Sequence, residues 1–176
     1  MTFSVLIDKS PQGFIDKDIL PLLTLINNDD RFETTSSCSG RITLMRGVKK
    51  GEAKWEYKNH FHAELEKIWG IVSVLKKEEL LRFLYEPFII HLKCRNFEEA
   101  SKFLSFLHGN GLKKSGMISG KNLIIEINDS GKMETLLTSS LTKDYIKTLV
   151  DEANRRLAST KTKIRKLEKL FEDKVV

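Results

Sequence analysis

Apolar side chains recur at intervals of three and four residues in three segments, the spacing of one helix face. In the first segment this face consists of Ile15, Ile19, Leu22, Leu23 and Ile26. It predicts a helix over residues 18–28, with Asp18 as the N-cap and Pro21 in the first turn, where a missing N–H costs nothing. A second helix is predicted over 97–109 and a long one over 142–173. The second apolar face consists of Phe97, Ala100, Phe103, Leu104 and Leu107.

Runs rich in Thr, Ile and Val indicate strands between these helices. FETTSS and RITLMRGV are predicted as two strands that bend at Cys38–Gly40, and FIIHLKC as a strand that begins after Pro87. KKSGMIS, NLIIEIN and METLLTS follow as three more strands. Residues 49–60 are predicted as a basic connection with a short strand around Trp55. Residues 61–84 are predicted to be mostly helical, with IVSVL as an alternative strand.

The order of these elements predicts an α+β fold. We expect one compact domain over residues 1–176, with a mixed or antiparallel sheet and a long C-terminal helix. No G-x-G-x-x-G follows a predicted strand, so a Rossmann fold is not expected. Both halves contain a helix, a strand, a polar turn with glycine and a cation, and a second strand. This predicts an internal duplication of residues 16–84 and 86–140, with the two polar turns lining one cleft.

Charge points to a class of partner. The 176 residues carry a net charge of +6, and basic residues are concentrated in segments 41–58 and 143–174. Both segments suit a nucleic-acid backbone, and a solvated lysine-rich surface explains them equally well. No apolar run is long enough to cross a bilayer, and the N-terminus lacks the basic start of a signal peptide. Two cysteines, Cys38 and Cys94, make no disulfide framework, so we expect a cytoplasmic protein without a membrane partner.

The segment TSSCSGR is the first candidate for chemistry. Gly40 allows a close backbone approach, and the surrounding N–H groups and serine hydroxyls suit a carboxylate or a phosphate. Arg41 adds a bidentate partner for the same anion. An ordinary hairpin turn explains the same residues. Cys38 has no local base, so a small buried thiol is favoured over a nucleophile.

Two later segments carry aromatic and basic candidates. Trp55, in KWEYKNH, is placed to stack on a nucleobase or to close the edge of a core. His60 is a candidate general base or a surface histidine. In EPFIIHLKCR, His91 has apolar neighbours, typical of a core histidine, and Arg95 follows the strand end within reach of an anion. The spacings of the histidines and Cys38 match no standard zinc arrangement, so no metal is predicted.

These motifs together resemble one known family. TTSSCSGRI, then Trp55 with His60 five residues on, then EPFIIHLKCR and GLKKSGMISGK are similar to the tRNA wybutosine-synthesising protein 3 family. The resemblance extends through the C-terminal segment LTKDYIKTLVDEANRRLASTKTKIRKLEKLF and covers nearly the whole chain. The absence of appended domains suits the stand-alone archaeal type.

The resemblance implies an S-adenosylmethionine-dependent tRNA methyltransferase of the transferase class. Its substrate would be phenylalanine tRNA, not DNA, and its target a tricyclic wyosine-type base next to the anticodon. The implied reaction is N4 methylation of the aminocarboxypropyl-demethylwyosine intermediate, or an archaeal equivalent. The alternative from another class is an RNA-binding module without catalysis.

The family motifs match residues here without assigning roles, and we hypothesise the following assignments. The candidate bases are His60 and His91, and Ser37 and Arg41 are also expected to take part in catalysis. The residues expected to bind the methyl donor are Ser36, Ser37, Gly40, Ser115, Gly116 and Gly120. The residues expected to bind the substrate are Arg41, Trp55, Arg95 and Lys121.

Overall fold

The structure is a computed structural model that describes residues 15–47 and 54–173. Its helices are α1 (Leu20–Asn27), α2 (Leu65–Val72), α3 (Phe97–Gly109) and α4 (Lys143–Glu172). Its strands are β1 (Phe32–Cys38), β2 (Arg41–Arg46), β3 (Lys54–Asn59), β4 (Leu81–Glu86), β5 (Ile89–Cys94), β6 (Gly116–Ser119), β7 (Ile124–Asn128) and β8 (Met133–Leu137). All strand pairs are antiparallel, which confirms the predicted α+β class with a long last helix.

The described chain divides into two compact units. The first takes in the described residues up to Ser39, then Phe88–Ser130 and the chain from Thr160 onward; the second takes in Gly40–Pro87 and Gly131–Ser159. Helix α4 therefore contributes its first part to the second unit and its last part to the first. The predicted single domain and internal duplication stay predictions.

The first unit is built on a sheet with the strand order β1-β5-β7-β6. Side chains alternate between the two faces of each strand, so Ile90, Leu92 and Cys94 of β5 are buried while Ile89 and His91 lie on the other face. Helices α1 and α3 and the last part of α4 supply the rest of this core. One face of the sheet is thus apolar and covered, and polar side chains are left for the opposite face.

The second unit is built on a sheet with the order β3-β2-β4-β8. Its core combines Ile42 and Leu44 of β2 with Phe83 of β4, and α2 and the first part of α4 pack against them. The Tyr85 hydroxyl, on the same strand as Phe83, donates to the Arg156 carbonyl of α4 at 3.1 Å. This bond fixes α4 to the strand that ends beside Pro87.

Thr43 is a local defect in this second core. Its side chain is fully buried, and among the described residues its hydroxyl is the buried side-chain polar atom without a hydrogen-bond partner. We expect Thr43→Val to raise the free energy of unfolding by about 1 kcal/mol, because a methyl group of similar shape replaces an unpaired, desolvated hydroxyl. Equilibrium urea unfolding measures this change. Thr43→Ser, which keeps the hydroxyl and removes a methyl group, should be less stable than wild type, and a loss of stability in Thr43→Val would contradict the argument.

Helix α1 confirms the first predicted helix but not its cap. Pro21 lies in the first turn as expected, but Ile19 occupies the N-cap position without a side-chain cap bond. Asp18 instead forms an ion pair with Lys161 of α4 at 2.9 Å. The prediction of Asp18 as the N-cap was wrong because a tertiary partner takes its carboxylate.

Two segments differ from their predictions, Cys38–Gly40 and residues 61–84. Strand β1 pairs with β5, whereas β2 pairs with β3 and β4, so Cys38–Gly40 connects two sheets and is not a hairpin turn. Within 61–84 only α2 is helical, IVSVL is not a strand, and β4 occupies the end of the range. The strand around Trp55 is confirmed as β3, and the part of the predicted connection at 48–53 lies outside the described residues. No helix among the described residues is long and apolar enough to span a membrane.

Candidate functional site

A β-bulge in β1 sets the direction of its polar side chains. Thr34 lies opposite Leu92 and Ser36 lies opposite His91, which leaves Thr35 as the extra residue. Ser36 therefore shares the outer face of the sheet with His91, while Ser37 lies opposite the buried Ile90 on the core side. The two neighbouring serines thus have different surroundings.

Four polar side chains form a continuous hydrogen-bonded row across the outer face of the first sheet. The Ser36 Oγ lies 2.8 Å from His91 Nδ1, and His91 Nε2 lies 3.1 Å from Glu126 Oε2. Asn128 Nδ2 donates to the other oxygen of Glu126 at 3.1 Å. We call Ser36, His91, Glu126 and Asn128 the polar row. His91 is 30% exposed and Glu126 27%, so this is not the core histidine that the apolar neighbours indicated.

Ser115 and Gly116 lie at the same end of this sheet as the polar row. Gly116 pairs with Glu126 across β6 and β7, and a Cβ placed on Gly116 would have no atom within 4 Å. The hydroxyl of the buried Ser115 accepts from the Asn128 backbone N–H at 3.3 Å. Gly116 therefore leaves open space beside the row, whereas Ser115 supports the backbone of Asn128.

Ser39 supports the connection between the sheets. It is fully buried, its N–H donates to Asp16 Oδ2 at 2.8 Å, and its hydroxyl accepts from Lys161 Nζ at 2.6 Å. Gly40 follows with φ +94°, a left-handed conformation that favours glycine. The polar groups of this segment thus hold the backbone between the two sheets, in addition to any role in the candidate site.

Arg95, Gly120 and Lys121 lie away from the polar row. Arg95 is four residues beyond His91 along β5, about 13 Å at 3.3 Å per residue, and its guanidinium is 3.4 Å from Asp30 on the exposed surface. Gly120 and Lys121 follow the opposite end of β6 from Gly116. The run Ser115–Lys121 is therefore a strand with polar ends, not one polar turn.

A pocket of about 470 Å³ lies at the Arg95 end of the sheet. It is lined by Asp30, Arg31, Phe32, Glu33, Lys93, Cys94 and Arg95. Nearby, the Arg31 guanidinium bonds Asp29 and holds the pKa of that carboxyl below its usual value. Acids and bases are nearly balanced here, and the pocket contains none of the hydrogen-bonded groups of the polar row.

In the second unit, Arg41 contacts both Glu86 and Trp55. Arg41 Nε donates to Glu86 Oε2 at 2.6 Å, and the Arg41 guanidinium carbon lies 5.1 Å from the centroid of the Trp55 ring, a cation–π contact. Trp55 remains 47% exposed. These three residues form a partly exposed aromatic and charged surface. In it, Glu86, which begins the segment EPFIIHLKCR, pairs with Arg41.

His60 lies directly after β3, also in the second unit, and is half-buried. The Asn59 side chain accepts from the backbone N–H groups of Phe61 and His62 at 2.7 and 3.0 Å. This local turn, typical of asparagine, determines the backbone around His60.

The two cysteines are free thiols with different surroundings. Cys38 is half-buried rather than buried as expected, whereas burial raises the pKa of the Cys94 thiol to about 11. At pH 8 only about one Cys94 in a thousand is therefore a thiolate, and this fraction grows as the pH rises towards 11. We expect iodoacetamide at pH 8 to alkylate Cys38 in the folded protein and Cys94 only after unfolding in urea, as read by peptide mass spectrometry. Equal labelling rates in the folded protein would contradict this.

Sequence reasoning missed Glu126, Asn128, Asp16 and Lys161. One signal was present: Glu126 is the single charged residue in the strand IIEIN, between isoleucines that face the core. The signal for Lys161 was absent, because its partners are more than a hundred residues away in the chain.

Comparison with known proteins identifies the family. The family model described as Methyltransferase TYW3 matches residues 2–173. A relative from Pyrococcus furiosus, named tRNA(Phe) 7-((3-amino-3-carboxypropyl)-4-demethylwyosine(37)-N(4))-methyltransferase 1, is 34% identical over 166 residues, which are 89% of this chain and 84% of the relative. A relative from Methanocaldococcus jannaschii, named as a methyltransferase for the same modification, is 33% identical over 156 residues, 83% of this chain and 80% of the relative.

A solved structure supports the same assignment. The structure of a protein from Pyrococcus horikoshii has a TM-score of 0.79 and 31% identity, covering 89% of this chain and 85% of that chain. Sequence and fold agree along nearly the whole described chain. As the motifs predicted, the chain belongs to the methyltransferase TYW3 family.

Proposed function

We propose that this protein transfers a methyl group from S-adenosylmethionine to the N4 nitrogen of the aminocarboxypropyl-demethylwyosine base in phenylalanine tRNA, in the cytoplasm. The family, and the activity for which the relatives from Pyrococcus furiosus and Methanocaldococcus jannaschii are named, support the proposal. The base lies in a single-stranded loop, where it is recognised without opening a duplex.

The observation that carries the proposal is the polar row. A ring nitrogen that bears hydrogen must lose a proton when it is methylated, so a positioned base contributes to the rate. His91 has a hydroxyl on one ring nitrogen and a carboxylate on the other. His91 thus has the contacts expected of a positioned base.

Gly116 is the proposed member of the donor site. S-adenosylmethionine supplies an electrophilic methyl group on a sulfonium, which reacts once donor and acceptor are held in line. The open space at Gly116, beside Glu126, fits a bound group. Ser115 fits less well because its hydroxyl is bonded to the Asn128 backbone, and Gly120 lies at the other end of β6.

Arg41 and Trp55 are the proposed substrate contacts. A guanidinium binds a carboxylate through two parallel N–H bonds, and the aminocarboxypropyl arm named in the relatives' substrate carries one. Glu86 accepts a hydrogen bond from Arg41 Nε, and the Arg41 guanidinium lies over the Trp55 ring. The exposed part of Trp55 is suited to stacking on the tricyclic base.

Lys113 and Lys114 are the proposed contacts to the tRNA backbone. They directly precede Ser115, both are exposed, and no ion pair involves either of them within residues 15–47 and 54–173. Between Glu99 and Glu126 the chain contains no acidic residue. A positive, acid-free segment next to the polar row therefore suits phosphates close to the target base.

Removing the charges of Lys113 and Lys114 should make the KM for tRNA less dependent on salt concentration. Each neutralised phosphate contributes about 0.7–0.9 to the slope of log affinity against log salt, so Lys113→Gln/Lys114→Gln is expected to lower the slope for KM by about 1.5. Lys76→Gln/Lys77→Gln is the matched control, because this other Lys-Lys pair is followed by Glu78 and Glu79. An equal drop in slope for both pairs would show a general charge effect.

Mass spectrometry of tRNA nucleosides tests the function. Purified protein is incubated with S-adenosylmethionine and with tRNA that carries the demethylwyosine precursor, and the precursor is expected to gain 14 Da, one methyl group in place of hydrogen. tRNA that lacks the precursor is the control. Binding of the tRNA without any mass change would favour an RNA-binding module without catalysis.

A further inference from the structure

The partners of His91 determine which of its ring nitrogens carries hydrogen. An ionised carboxylate only accepts hydrogen bonds, so the contact with Glu126 requires the hydrogen on Nε2. The unprotonated Nδ1 then accepts from the Ser36 hydroxyl. A neutral His91 is therefore oriented to withdraw a proton from Ser36, and Ser36 is the exposed member of the polar row.

Glu126 is itself held in place. Its Oε1 accepts from Asn128 Nδ2 at 3.1 Å while its Oε2 faces His91. The other titratable groups that strand pairing puts on this face, within the described chain, are Glu33, Cys38 and Lys93. Glu33 and Lys93 lie opposite each other, two residues along β5 from His91 and on the far side of the bulge, and Glu126 is the carboxylate in contact with the imidazole.

We propose that Ser36, His91 and Glu126 form a proton relay, with Ser36 Oγ as the group that accepts the proton from the target ring nitrogen and Glu126 as a positioning residue. The inference rests on the proposed function. The ring N–H bond breaks as a new H–Oγ bond forms, and the original Ser36 proton moves to His91 Nδ1. The electron pair left on the ring nitrogen forms the bond to the methyl carbon, and the donor sulfur keeps the pair of the broken C–S bond.

The relay ends with one extra proton on His91. The resulting imidazolium faces the Glu126 carboxylate, which stabilises the positive charge, and the proton then passes to water. This is the logic by which a carboxylate orients a histidine in hydrolytic triads, with the two ring nitrogens exchanged. Ser36 regains a hydrogen at the moment it gives one away, so it does not remain charged.

Single-turnover methylation at several pH values tests the relay. Ser36→Ala and His91→Ala are each expected to slow the step by about 100-fold or more. Glu126→Gln keeps the shape and an acceptor but loses the charge. It is expected to slow the step about 10-fold and to move the acid limb of the pH–rate profile to lower pH, since the imidazolium loses its facing carboxylate. Glu33→Gln, on the same face, should keep the wild-type rate and profile.

Nitrogen-15 NMR of the imidazole rings gives a readout that does not depend on activity. The His91 signal, assigned by its loss in His91→Ala, should show the Nε2–H tautomer of the neutral ring in the wild type. An Nδ1–H form, or a Glu126→Gln profile that coincides with wild type, would overturn the relay. Covalent labelling of Ser36 by a fluorophosphonate would also overturn the relay, because it would show that Ser36 acts as a nucleophile.

Failure of the wild type to methylate precursor-bearing tRNA would overturn the proposed function instead, and the NMR result would still decide which ring nitrogen of His91 donates to Glu126.

Discussion

Replacing Arg41 by alanine is expected to lower kcat/KM for tRNA by about 100-fold, equivalent to about 2.7 kcal/mol of transition-state stabilisation. The change removes the proposed partner of the substrate carboxylate. It also leaves Glu86 with an uncompensated negative charge where that carboxylate would bind, and it uncovers one side of Trp55. Arg41→Lys should restore little, because an ammonium is a point charge without the planar fork.

Arg46 provides the matched control on the same strand. It is 36% exposed, compared with 30% for Arg41, and it pairs with Glu56 at 3.1 Å and Glu79 at 3.0 Å. Arg46→Ala should therefore change charge and local ion pairing to a similar degree while kcat/KM for tRNA stays within a few-fold of wild type. Steady-state kinetics with precursor-bearing tRNA measures both variants. Comparable losses at the two positions would remove Arg41 from the proposed substrate site.

Phe103→Ala is expected to cause the largest loss of stability, about 3–5 kcal/mol. Phe103 is 6% exposed and contacts three other rings in the first unit. Its centroid lies 4.7 Å from that of Phe32, 6.0 Å from that of Phe106 and 5.6 Å from that of Phe171. Truncation leaves a cavity bordered by rigid rings that cannot close around it. Equilibrium urea unfolding followed by circular dichroism measures the change.

Phe97 is the control for Phe103, because it lies on the same helix and loses the same atoms on substitution. It was predicted on the apolar face of α3 but is 67% exposed. Phe97→Ala should therefore change the free energy of unfolding by less than about 0.5 kcal/mol. Similar losses for the two variants would mean that Phe97 is buried after all.

Local patterns predicted the elements well where the neighbours along the chain decide the outcome. The range of α3 was predicted correctly because Asn96 caps it and accepts from Glu99 N–H at 2.9 Å, both within one turn. Strand β4 was mistaken for helix because Leu81, Phe83, Leu84 and Tyr85 are all buried, which hides the alternation of a strand. The hairpin alternative for Cys38–Gly40 followed from adjacency in the chain and was wrong, since β1 pairs with β5, more than fifty residues away, and β2 pairs with β3 and β4.

The contacts within the candidate site also depend on residues that are distant in the chain. The motifs singled out Ser36, His91 and Arg41, but they did not indicate which of them would meet. His91 is joined to Ser36 across 55 residues and to Glu126 across 35, and such pairings follow from the strand order of the sheet. Spacing along the chain does not encode that order. The motifs therefore identified most side chains of the candidate site, whereas the strand order of the sheet determined which of them are in contact.

The bulge at Thr35 decides which hydroxyl in TTSS is placed for chemistry. Thr34 is bonded to Asn27, Thr35 contacts the His91 carbonyl, Ser36 contacts its ring, and Ser37 lies on the core side. A strand without the extra residue would set Thr35 opposite His91 and direct Ser36 towards the core. Four adjacent and chemically similar residues thus have four different environments. In this segment, an insertion or deletion of one residue would change the chemistry more than exchanging one hydroxyl for another.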